Sequence, residues 1–183
     1  TLASSGADHT VKLWNVDERE EIATLYGHSS DVRSVAFSAD GDTLASGSSD
    51  GTVRLWDVRL RREITTLRGR ATGAFARVTA VGFSPGGDIL ATARAGQVEL
   101  WDVSQQRKVA TLQGPGSAYS VAFSPRGDHL ATVGYRSDVR IWDVDTRQQI
   151  APLPGHASSV SSIAFSPDGG TLASGHRDRT AKL

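Results

Sequence analysis

Three side chains near the start of this 183-residue chain could form a hydrolytic relay: His28 as general base, Asp50 as the carboxylate that orients it, and Ser46 as nucleophile. A nucleophile must stand where a substrate carbonyl can reach it. Ser46 lies instead within the apolar run TLASGS, with no glycine elbow around it, so the set reads as structural and no residue is assigned catalysis. Metal chemistry has less support. His9, His28, His129, His156 and His176 are scattered, with no pair at ligand spacing. Asp143 and Asp145 stand close together in WDVDT, but that run lacks the glycine and terminal glutamate of a calcium loop and reads as a turn. The chain has no cysteine, which excludes disulfides, thiolate zinc sites and cysteine nucleophiles. The expectation is no cofactor and no metal.

Arginine supplies the other candidate chemistry. Between Arg59 and Arg77 six arginines face one acid, Glu63. A contiguous basic track of that kind would suit phosphate or an acidic protein. Arg59, Arg61 and Arg62 follow one tryptophan-bearing run, however, whereas Arg68, Arg70 and Arg77 lie in the next connection, which an antiparallel unit places at its opposite end. Twenty basic and twenty acidic side chains cancel over the whole chain, so no overall field draws nucleic acid or anionic lipid. Nucleic-acid binding is not expected. No uninterrupted apolar stretch is long enough to span a membrane, and none resembles a signal peptide, so a cytoplasmic location is expected.

The elements that carry these residues repeat. KLWNV, RLWDV, ELWDV and IWDV place Trp14, Trp56, Trp101 and Trp142 at intervals of 42, 45 and 41 residues. In the second copy the pattern resolves into DVRSVAFS, TLASGS, TVRLWDV and EITTLRG, runs rich in β-branched and aromatic residues and separated by glycine, aspartate and serine. The first gap recurs as SADG, SPGG, SPRG and SPDG, where proline pre-sets φ and glycine supplies the positive φ that re-enters an antiparallel strand. No run has helical periodicity. A sheet of four short strands cannot bury two apolar faces by itself, so the units must stack. Period and signature together predict an all-β chain of propeller blades, each of four antiparallel strands.

On these motifs the chain resembles the WD-repeat β-propeller family along essentially its whole length. Gly27–His28 and Gly155–His156 match the family's repeat opening, and Asp8, Asp50 and Asp178 its aspartate before the tryptophan strand. The resemblance implies a buried hydrogen-bonded tetrad of His28, Ser46, Asp50 and Trp56 in the second repeat. It implies partial sets of Ser4, Asp8 and Trp14 at one end and His156, Ser174 and Asp178 at the other. The third and fourth repeats depart from the pattern. Arg70 and Pro115 replace histidine, the turn ARAGQ is one residue short and has no aspartate, and Arg136 stands where the fourth repeat's aspartate would be. Thr92 and Thr132 keep the strand hydroxyl.

Residues 1–13 match residues 171–183 almost position for position, and the last repeat stops at Leu183 before its tryptophan. Residues 1–183 are therefore expected to form one propeller segment of about four and a half blades, completed by further blades of a longer array or by a second copy of the chain.

The function expected of such a segment is a non-catalytic protein–protein interaction scaffold. The resemblance adds a sensor or regulatory region of a larger signalling protein, since bacterial family members of this character are often attached to a kinase or a signalling ATPase. The alternatives are an enzyme with its site in the central channel, for which the innermost strands offer mainly serine, valine and alanine, or a nucleic-acid binder. The long connection Arg68 to Arg77 carries Phe75 and would open beside Arg94, Tyr119, Tyr135 and Arg136. Arg68, Arg70, Phe75, Arg77, Arg94, Tyr119, Tyr135 and Arg136 form the expected partner-binding surface, arginine and aromatic residues being enriched at interface hot spots. The competing expectation is that Phe75 tucks into the core and Tyr119 packs between blades.

Overall fold

The computed structural model describes residues 1–69, 76–134, 139–153 and 159–183, those at 95, 114–117, 151 and 152 by their backbone alone. Every regular element of four or more residues is a strand. β1 (Leu2–Ser5), β2 (Val11–Asn15) and β3 (Glu20–Leu25) form the first sheet, and β4 (Val32–Phe37), β5 (Thr43–Ser48), β6 (Thr52–Asp57) and β7 (Arg62–Arg68) the second. Next come β8 (Ala80–Phe83), β9 (Ile89–Asp102), β10 (Arg107–Phe123), β11 (His129–Gly134), β12 (Val139–Asp143) and β13 (Gln149–Leu153), joined in sequence order. β14 (Val160–Phe165), β15 (Leu172–His176) and β16 (Ala181–Lys182) close the chain. All pairings are antiparallel between neighbours in sequence, which makes these the blades of a partial β-propeller.

Successive side chains of a strand point to opposite faces, and both faces here are apolar. In β6, Val53 and Leu55 face one way and Trp56 the other. Val53 and Leu55 join Val78, Val81, Leu90 and Trp101 of the following blade. Trp56 joins Val11, Leu13 and Leu25 of the preceding one. The arrangement recurs along the chain, giving four apolar clusters, each shared by two consecutive blades. Burying a large apolar side chain contributes about 1.5–3 kcal/mol, so stability resides between blades rather than within them.

The hairpin turns follow one design. Ser38 Oγ accepts from Thr43 N at 3.0 Å, Gly41 N donates to Ser38 O at 2.9 Å, and Gly41 sits at φ 77°. Gly87, Gly127 and Gly169 repeat that geometry at φ 75°, 78° and 76°. The innermost strands β4, β8, the second half of β10, and β14 adjoin in order, bringing Phe37, Phe83, Phe123 and Phe165 to one cleft.

One departure from the expected pattern is the length of β9 and β10, which each cover what the sequence divides into two strands. The third repeat's shortened turn lies inside β9, where Gly96 stands at φ 84° between a first half that pairs β8 and a second half that pairs β10. Beyond Gln113 the chain stays extended and pairs Ser117 with Ala95. The last strand of the third blade therefore runs on as the first strand of the fourth in one extended segment, β10, whose first half pairs β9 and whose second half pairs β11.

Among the described residues no helix is long and apolar enough to cross a membrane, and no group of three or more histidine, aspartate or glutamate side chains is placed to hold a metal ion.

Candidate functional site

In the second blade one run of hydrogen bonds links four elements. Trp56 Nε1 donates to Ser46 Oγ at 2.8 Å, Ser46 Oγ meets His28 Nε2 at 2.7 Å, and His28 Nδ1 meets Asp50 Oδ2 at 2.9 Å. An ionised Asp50 can only accept, so Nδ1 carries the proton and Nε2 accepts from Ser46. Asp50 also accepts from Thr52 Oγ1 at 2.7 Å, Thr52 N at 2.8 Å and Ser29 N at 3.0 Å. Burial alone would raise the Asp50 carboxyl, but the bonds from Thr52, Ser29 and His28 outweigh it and hold it at about 2. Burial pushes His28 below its ordinary 6.5 despite the hydrogen bond to Asp50. The ring is neutral near pH 7, in agreement with the proton placement.

The connectivity is that of a serine hydrolase, but the access is not. Ser46 is fully buried in β5, and its hydroxyl already serves both Trp56 and His28. What the network does instead is fix the turn Ser49–Gly51 and the entry Gly27–Ser29 against each other at one end of the blade.

The other tryptophans keep only the strand hydroxyl. Trp14 bonds Ser4 at 2.8 Å, Trp101 bonds Thr92 at 3.1 Å and Trp142 bonds Thr132 at 3.0 Å. Among the described residues Asp8 and Asp178 bond only their own turn threonines, Thr10 and Thr180. Ser174 Oγ lies 3.0 Å from His176 Nε2, and His156 lies outside the described residues.

The third blade fills the same space with charge. Arg94 Nε donates to Glu99 Oε2 at 2.8 Å, and both side chains are completely buried. Lys108 Nζ reaches the other oxygen, Oε1, at 3.0 Å from a partly exposed position. Arg94 Nη1 donates to Gly51 O at 2.9 Å and to Ala76 O, which ties the second blade's turn to the end of the long connection. Gly69 leaves room for the pair, since a Cβ there would stand 2.7 Å from both Arg94 Nε and Glu99 Oε2.

Arg94 is thus a correction to the expected partner surface: its guanidinium points inward, with Nε on Glu99 and Nη1 on Gly51 O and Ala76 O. Arg68 and Arg77 are exposed, and Tyr119 is half-buried on β10. Arg68 pairs across the sheet with Thr52, beside the Asp50 turn. Thr79 Oγ1 donates to Ala118 O, which sets the Arg77 end of the connection next to Tyr119. Arg70, Phe75, Tyr135 and Arg136 lie outside the described residues.

Thr52, Glu99 and Lys108 escaped the sequence reading, although each leaves a trace. Asp-x-Thr recurs as Asp8–Thr10, Asp50–Thr52 and Asp178–Thr180. The cation two residues before tryptophan, Lys12, Arg54 or Arg140, is Glu99 in the third repeat. Its partner nine residues on reverses too, from Glu21 and Glu63 to Lys108.

A family model described as IFT122 first beta-propeller matches residues 1–183. Among curated proteins, Transducin beta-like protein 3 of Bos taurus is 48% identical over 42 residues, which cover 23% of this chain and 5% of that protein. Forty-two residues also separate Trp14 from Trp56, so the shared stretch has the length of one blade.

Proposed function

The chain belongs to the family described as the IFT122 first beta-propeller, a WD-repeat β-propeller, and on that premise we propose that it is a non-catalytic protein–protein interaction scaffold within a larger regulatory protein. A WD-repeat propeller fits a scaffold role because its turns are held by inter-blade packing before any partner arrives. Little ordering entropy is then lost on binding. The observation that carries the reading is the fixation of one end of the second and third blades. The Asp50 network and the Arg94 bridge hold the turn Ser49–Gly51, the entry at Gly27 and the end of the connection at Ala76 in one rigid unit. Around it stand exposed Arg68 and Arg77 and the half-buried Tyr119.

A photoreactive residue in place of Arg77, compared with one in place of Arg19 in a hairpin at the other end of the blades, tests the surface. Crosslinking in the native cell should yield protein adducts from position 77 that Arg68→Ala and Tyr119→Ala diminish at unchanged thermal midpoint. Equal capture from both positions, or adducts indifferent to those alanines, would refute this placement.

A further inference from the structure

The hairpin between β6 and β7 departs from its counterparts in the other repeats. The residue four after each tryptophan is Glu18, Leu60, Gln105 and Thr146 along the chain. Glu18 accepts from Asn15 Nδ2, Gln105 N donates to Asp102, and Thr146 donates to Asp143 through both N and Oγ1. Leu60 also closes its turn through the backbone, N to Asp57 Oδ1 at 2.7 Å, but its aliphatic side chain is left 52% exposed. Ile64, on the edge strand β7, is 46% exposed, and the two side chains help line a cavity of about 260 Å³ with Asp42, Thr43, Asp57 and Arg59. Arg59 lines the cavity with the pair, Arg61 and Arg62 follow Leu60 in the hairpin, and all three are exposed. Arg61 Nη1 makes one long contact, 3.4 Å, to Ile22 O, and none of the three arginines has an ion pair among the described residues.

We propose that this hairpin is a docking site for an acidic protein segment that carries an aliphatic anchor. The anchor enters the cavity against Leu60 and Ile64, and carboxylates beside it meet Arg59, Arg61 and Arg62. Charge complementarity selects the occupant. Arg59, Arg61 and Arg62 set three exposed cations against Asp42 at the cavity wall, while Asp57 is engaged by the Leu60 amide and Glu63 is paired with Arg54. The aliphatic pair favours protein over nucleic acid, because a phosphate backbone gains nothing from Leu60. The site lies at the opposite end of β7 from Arg68, so it is separate from the surface under Proposed function and survives or fails independently of it.

The test is a selection from a displayed library of random 16-residue peptides against the whole chain, with single-stranded oligo-dT and self-association measured alongside. Enriched peptides should carry an aliphatic residue flanked by Asp or Glu. Leu60→Ser should weaken them at least about tenfold, the value of one buried aliphatic side chain, and the pair Arg59→Ser and Arg62→Ser should do likewise. Both changes fall on exposed positions, so an unchanged thermal midpoint checks folding. The proposal fails if no peptide is enriched, or if the selected peptides ignore Leu60→Ser. Oligo-dT binding that needs the arginines but not Leu60 would make the site a nucleic-acid contact. Concentration-dependent dimerisation abolished by Leu60→Ser would make a second copy the occupant, and either result overturns the acidic segment.

Discussion

The second and third blades secure the same hairpin end by opposite means. In the second, a neutral imidazole, a hydroxyl and one carboxylate share protons along a line ending on Trp56. In the third, with no histidine or aspartate available, a guanidinium enters from the strand itself and is neutralised by Glu99, with Lys108 at the rim. The contrast shows that what this site in the fold requires is a rigid turn with its backbone groups bonded, N–H groups by Asp50 in one case and carbonyls by Arg94 in the other. The chemistry that delivers them can be exchanged, provided the compensating charges change together.

The largest effect should follow from splitting the charged set. Glu99→Ala leaves Arg94 buried without its counter-ion, and a loss of about 3–5 kcal/mol is expected in denaturant unfolding. Arg94→Met combined with Glu99→Leu should recover most of it, since a packed apolar pair can stand in for a buried ion pair. If Glu99→Ala costs no more than a surface charge deletion, the third blade does not depend on this pair. Asp50→Ala comes next, at about 2–3 kcal/mol, because four donors lose their acceptor. Asp8→Ala and Asp178→Ala, whose carboxylates serve local threonines among the described residues, should cost within about 0.5 kcal/mol. Equal losses at all three aspartates would erase the distinction between the complete network and the partial ones.

Acid should act on the second blade in two stages. The folded pKa of His28 is below 6.5, so the unfolded chain binds more protons and stability falls as pH drops from about 6.5 through that lower value. Asp50 is lowered from 3.8 to about 2, so its contribution, on the order of 2 kcal/mol, is intact above pH 4 and lost between there and about 2. In His28→Gln the first stage should disappear from a plot of thermal midpoint against pH, and its persistence would place that titration elsewhere. The smallest effect concerns the far end of the third blade. Gln106 lies at φ 53°, a conformation that favours glycine, and Gln106→Gly should be neutral to stabilising by about 0.5 kcal/mol. A loss above about 1 kcal/mol would mean that the glutamine side chain holds that turn.

Much of this is legible in the sequence alone. Tryptophan spacing, the Ser-Pro-x-Gly turns and alternating valine, leucine and alanine specify short strands apolar on both faces, and the blades follow because each signal is local. His28, Ser46, Asp50 and Trp56 were grouped by resemblance, and the distances place them within hydrogen-bonding reach in sequence. Arg94 was misread because an arginine in a turn is ordinarily solvated. Only the three-dimensional approach of Glu99, Gly51 and Ala76 makes a buried guanidinium tolerable. The exchange of Glu99 and Lys108 for Arg54 and Glu63 was visible as a paired reversal, but its meaning depends on which strands are neighbours. The continuity of β10 is hidden for a similar reason, since Gly114, Pro115 and Gly116 carry no strand signal, whereas the backbone there remains extended.

That continuity of β10 has a mechanical corollary. A pull applied to the two ends of the chain would reach the second blade through hairpins that can peel one at a time. Along β10 there is no slack loop between the third and fourth blades, so tension passes directly from one to the other and loads their hydrogen bonds together. Under force these two blades should give way as a single event with a contour-length gain near twice that of one blade.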